Sequence, residues 1–106
     1  MDEATNLAKQ ALELEPKNAE AHHVMGRILL TEDHLEGSAR ELELAKQLAP
    51  ASASIRSHLA VVYGKLGRSR EAKAEAALAL SLRKKEDILS SPEEKLKSIP
   101  APGENP

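Results

Sequence analysis

Apolar residues recur along most of this chain three and four positions apart. In the stretch AEAHHVMGRILL, residues 19–30, Ala21, Val24, Met25, Ile28 and Leu29 share one side, the stripe of an amphipathic helix. Asn18 stands just before it as an N-cap. TEDHLEGS then interrupts the pattern, and a second helical stretch, LEGSARELELAKQLA, stops at Pro50, because a proline disfavours helical backbone in the residue before it. Ser52 or Ser54 restarts the pattern. Upstream, EATNLAKQALELEP places Ala4, Leu7, Ala8, Ala11 and Leu14 on one face. The pattern predicts an all-α chain without strands, with helices at about 2–14, 19–31, 35–48, 53–65 and 69–88.

One stretch invites a different idea. VVYGKLGRSREA, residues 61–72, joins two glycines to Lys65, Arg68 and Arg70, with Lys73 just beyond. A phosphate-cradling loop needs G-x-x-x-x-G-K-[ST] between a strand and a helix. Here Lys65 precedes the second glycine and the residues before it read as helix. The stretch is a turn, with Gly67 at a left-handed C-cap position and Ser69 as the next N-cap.

The chain repeats itself. Pro16 and Pro50 lie 50 − 16 = 34 residues apart and close similar phrases, AKQALELEP and ELAKQLAP. The same shift links Ala11, Ala45 and Ala79; Ala4, Ser38 and Ala72; and Leu14, Leu48 and Leu82. It also pairs Met25 with Leu59, Gly26 with Ala60, Ile28 with Val62 and Leu29 with Tyr63. Small falls on small and large on large, so each unit is one pair of helices.

These residues resemble the tetratricopeptide repeat, whose signature is W-x₂-L-G-x₂-Y…A-x₃-F…P. One unit reads His22-x₂-Met25-Gly26-x₂-Leu29…Ser38-x₃-Leu42…Ala45…Pro50, the next Arg56-x₂-Leu59-Ala60-x₂-Tyr63…Ala72-x₃-Ala76…Ala79. Ala4-x₃-Ala8…Ala11…Pro16 matches the second helix of a unit whose first helix would precede Met1. The signature Trp and Phe positions carry His22, Arg56, Leu42 and Ala76, and Lys84 stands at the final proline position, so the last helix is expected to run on. Gly26, Ala60, Ala45 and Ala79 let paired helices approach.

The resemblance implies an α-solenoid of antiparallel helix pairs. Residues 1–89 form the repeats (3–16, 19–50 and 53–84), and 90–106 form a tail in which 92–98 can make a short helix before a proline-rich end. It also implies a groove that receives a peptide or partner helix, lined by Glu20, His23, Arg27, Leu30 and Thr31, then Ser54, Ser57, Val61 and Lys65. A carboxylate-gripping lysine–asparagine set, known in some members, is not expected, since Asn6 and Asn18 fall outside both first helices.

Composition narrows the function. One tyrosine is the only aromatic residue, so the core must be aliphatic. The formal net charge of −2 recruits neither nucleic acid nor anionic membrane. No apolar run is long enough to insert in a membrane, and without cysteine there is no thiol chemistry. His22, His23, His34 and His58 read as exposed or half-buried helix residues: adjacent His22 and His23 project about 100° apart and cannot share a metal. The carboxylates of LELEP and SARELELA read as solvated helix faces. The basic clusters Lys65–Lys73 and Arg83–Lys85 lack interleaved aromatics for base stacking.

The sequence therefore predicts a non-catalytic protein-interaction module without metal or cofactor. The alternatives are a capping or self-association segment of a longer repeat protein, or a helical appendage of an upstream enzyme. Two and a half units fall short of the roughly three that a stable stack needs. Ala4, Leu7, Ala8, Ala11 and Leu14 are accordingly expected to form an exposed end, covered either by an upstream segment or by a second copy in a homo-oligomer.

Overall fold

The computed structural model describes residues 2–90, so the expected helix over 92–98 lies outside the described residues. Five helices follow one another: α1 (Asp2–Leu14), α2 (Ala19–Thr31), α3 (Leu35–Leu48), α4 (Ala53–Lys65) and α5 (Ser69–Ser90). No strand occurs among the described residues. Each helix packs on its neighbours in the chain, and α2 also meets α4. This is the α-solenoid that the 34-residue period predicts, with α5 running on past Lys84.

Local chemistry fixes the helix ends. The Asn18 side chain accepts from the Ala21 amide at 3.0 Å, and Ser52, rather than Ser54, accepts from the Ile55 amide at 3.3 Å. Each cap satisfies one of the amides that a helix start leaves without a partner. Ser69 departs from expectation. It is the first helical residue of α5, and the Arg68 carbonyl accepts the opening bond from the Ala72 amide.

Gly67 adopts φ 81°, as its turn position predicts. One period earlier Asp33 adopts φ 66°, a conformation that glycine takes without strain. Both close the same hydrogen-bonded ring. Arg68 N donates to Tyr63 O as His34 N donates to Leu29 O, and Gly67 N to Gly64 O as Asp33 N to Leu30 O. These are Schellman ends, and the chain reverses at each of them.

The core is aliphatic and tight. Leu42, Leu59, Val62 and Ala45 have no exposed surface, and Ile55, Tyr63 and Ala39 complete the cluster. Within it α2 and α3 approach closely. A Cβ at Gly26 would stand 2.5 Å from Leu42 Cγ and 2.7 Å from Leu42 Cδ2. Beside it the buried Ser38 hydroxyl donates to the Gly26 carbonyl at 2.6 Å. Ala45 and Ala79 are buried as expected, while Ala60 is only half-buried.

Gly26→Leu, at the α2–α3 seam, or Ala45→Phe, in the core cluster, should therefore overpack the interior and cost about 1–3 kcal/mol. His34→Ala should change stability little, since the His34 side chain is largely exposed and makes no capping hydrogen bond. Thermal melts of the three variants give the ranking.

Candidate binding face

The polar side chains that order this face belong to a motif repeated once. His22 Nδ1 lies 2.7 Å from Glu41 Oε1, and its Nε2 lies 2.9 Å from the Pro16 carbonyl. Both neighbours only accept, so both ring nitrogens donate and His22 is an imidazolium. One period on, Arg56 Nε donates to the Pro50 carbonyl at 3.0 Å, and Nη1 to Glu75 at 2.9 Å. Cation, carbonyl and carboxylate each shift by 34 (22 to 56, 16 to 50, 41 to 75). Where the repeat signature carries tryptophan, each unit thus uses a cation to tie the preceding turn to its second helix.

The carboxylates here are not the solvated faces that their alternation with leucine suggested. Glu75 is buried, and Glu41 and Glu43 are half-buried. Glu75 also takes Lys46 at 2.7 Å, and Lys46 reaches Glu43 at 3.0 Å. The Tyr63 hydroxyl donates to Glu43. Burial, that hydrogen bond and the surrounding carboxylates push the Tyr63 pKa well up. On Lys46, burial is outweighed by the bonds to Glu75 and Glu43, and the pKa rises. Every buried side-chain polar atom among the described residues has a partner. These groups are engaged in holding helices together.

Of the nine residues expected in the groove, Glu20, Arg27, Thr31, Ser54, Val61 and Lys65 are exposed, and Leu30 and Ser57 half-buried. His23 is the exception. It is buried, only 7% exposed, because it meets His58 of α4 edge to face, with ring centroids 4.9 Å apart. His58 Nδ1 stands 2.9 Å from the Ser54 carbonyl and 3.0 Å from His23 Nε2. The one proton on His58 Nδ1 is shared between the Ser54 carbonyl and the lone pair of His23 Nε2, so His23 Nε2 is unprotonated and His23 is neutral. Burial and then His58 push its pKa down; Glu20 opposes and Arg27 adds to the fall. His58 is half-buried as its sequence context suggests, but nothing in the spacing of 35 residues marks its pairing with His23.

The self-association face also needs correction. Leu7 and Leu14 are 59% and 85% exposed and Ala4 is exposed, but α2 covers Ala8 and half-covers Ala11. An open hollow of about 300 Å³ lies between α1 and α2, lined by Ala4, Leu7, Ala8, Ala11, Asn18, Glu20, Ala21 and Val24. Another, of about 480 Å³, lies between Arg56 and the second half of α5. The first shares only Glu20 with the expected groove, and the second shares none of its residues. No group of three metal-ligating side chains occurs among the described residues.

Residues 53–86, α4 and most of α5, match the family model of the tetratricopeptide repeat. Those residues form a tetratricopeptide repeat. Among solved structures it is similar to MamA MSR-1 C2, with a TM-score of 0.71 at 21% identity, over 79% of this chain and 48% of that one. The chain thus spans about half the length of that structure, and at this identity the likeness is one of fold. No curated protein matches it.

The two histidines of α2 give opposite pH dependences. At His22 burial is outweighed by the Glu41 hydrogen bond, the Pro16 carbonyl and the Glu41 charge, so its pKa lies above 6.5. Its stabilisation is complete below 6.5 and is lost as pH rises through the folded value. The lowered pKa of His23 acts the other way, with stability lost as pH falls below 6.5. His22→Arg should copy the Arg56 tie and remove only the first dependence. Melting temperatures of wild type and variant should run parallel at acid pH and separate, with the variant ahead, above 6.5. A gap independent of pH would contradict the imidazolium assignment.

Proposed function

We propose that the tetratricopeptide repeats act as a non-catalytic protein-interaction module, and that the exposed face of α2 and α4 binds an acidic peptide or partner helix. The observation that carries this reading is a contrast among cations. Lys46 and Arg56 are half-buried and paired, whereas Arg27 and Lys65 are exposed on this face and in no ion pair among the described residues. Val61, 46% exposed, and half-buried Leu30 give an apolar contact on the same face. Arg83 of α5 donates to Ser57 at 3.0 Å and adds positive charge at the edge.

Acid–base chemistry is not favoured here, because the histidines and carboxylates that lie close together are engaged with one another. No helix is long and apolar enough to cross a membrane among the described residues. A formal charge of −2 and a single aromatic residue do not favour nucleic acid.

Selection of displayed peptides on the folded chain should enrich acidic sequences, with binding that weakens as salt rises. Arg27→Glu and Lys65→Glu should each weaken a selected peptide by roughly twofold to fivefold, as expected for exposed charges. Unchanged affinity in both variants, with unchanged melts, would place the contact on another face.

A further inference from the structure

The unpartnered stripe of α1 has a spacing that says what covers it. Ala4, Leu7, Ala11 and Leu14 step by three, four and three, the seam of a coiled coil in which a small residue alternates with a leucine. Ala4, Leu7 and Ala11 of this seam line the hollow between α1 and α2, and Leu14 lies beyond it. Internal symmetry identifies what such a hollow holds. Shifted by 34, Ala4, Ala8, Ala11 and Ala21 become Ser38, Leu42, Ala45 and Ile55, all buried. There the cover is α2, which lays Gly26 on Leu42 and accepts from Ser38. The hollow on α1 is the corresponding seat for a helix antiparallel to α1.

The seat differs from its counterpart in three ways. Ala8 replaces Leu42, so the incoming helix is not held to a glycine as α2 is. Leu7 replaces Glu41, so no cation is wanted, and Ala4 lacks the Ser38 hydroxyl. An apolar helix with leucines at its seam fits, and α1 is such a helix.

We infer that the seat is filled by α1 of a second copy of this chain, in a twofold-symmetric dimer. A twofold axis across α1 makes the two copies antiparallel, as the seat requires. Antiparallel seams pair residues whose numbers here sum to 18. Ala4 then meets Leu14 of the second copy, and Leu7 meets Ala11, so every leucine faces an alanine. Both seats fill in one step, because the contact is self-complementary. One helix pair is a small interface, and the dimer forms in proportion to concentration.

Sedimentation velocity over about a hundredfold range of concentration tests this on the whole chain. The expected result is a monomer–dimer equilibrium that stops at the dimer. Leu7→Glu and Leu14→Glu, both at exposed positions, should weaken it roughly tenfold or more while leaving helicity intact. Leu7→Ala and Ala11→Leu should each weaken it, and the two combined should restore it, because large and small then exchange places across the seam. That rescue is not expected of a merely structural role. A monomer at every concentration would overturn the proposal, and would leave the seat to a helix of another protein or another segment. Association that ignores Leu7→Glu and Leu14→Glu, or growth beyond the dimer, as a head-to-tail contact with Leu80 of α5 would give, overturns it equally.

Discussion

With one tyrosine as its only aromatic residue, this chain cannot bury large rings between its helices and must bring the helices themselves together. The approach of Gly26 to Leu42 is the constraint on which the rest depends. Leu42 is fully buried and leaves no space for a Cβ at position 26. That contact sets the separation of α2 and α3, and it brings Ser38 to the Gly26 carbonyl. It also holds the two helices where His22 reaches both Glu41 and the Pro16 turn. A larger residue at position 26 would strain all of these at once.

The second consequence of a thin core is that polar groups stitch the units. Placing Glu75 in the interior would be costly for a lone carboxylate. Arg56 and Lys46 approach it from α4 and α3, so the charge is matched from two helices. The first unit does the same with an imidazolium in place of the guanidinium. One tie is therefore permanent and the other sensitive to pH. The second unit also packs Arg68 over the Tyr63 ring, 5.8 Å from its centre. The polar ties fix where the faces of α2 and α4 meet, at the His23–His58 contact.

Much of this was legible in the sequence. Amphipathic stripes, Pro16, Pro50 and Gly67 place the helices, and the only end that shifts is that of α5, which reaches Ser90. The period of 34 made Gly26 and Ala45 recognisable as close contacts. What escaped the reading was polar. Glu75 lies in EAKAEAAL and looks like any surface glutamate, because its partners come from other helices. The signal was present, since the shift that sets His22 and Arg56 at one repeat position also carries Glu41 onto Glu75. Asp33 escaped for a different reason: it takes the backbone conformation of Gly67 without being glycine. The repeat resemblance implies an open-face position for His23, whereas its contact with His58 buries it.

The account places the Gly26–Leu42 contact at the centre, and a double-mutant cycle measures it. In an open helix, Gly→Ala stabilises by roughly 1 kcal/mol through helix propensity alone. In the native background Gly26→Ala should instead destabilise, because its Cβ meets Leu42 Cγ at 2.5 Å. In a Leu42→Ala background the same change should become neutral or stabilising, giving a coupling of about 1 kcal/mol or more. Denaturant unfolding of the four proteins yields that coupling directly. A Gly26→Ala substitution that stabilises the native chain, with no coupling to Leu42, would contradict the account.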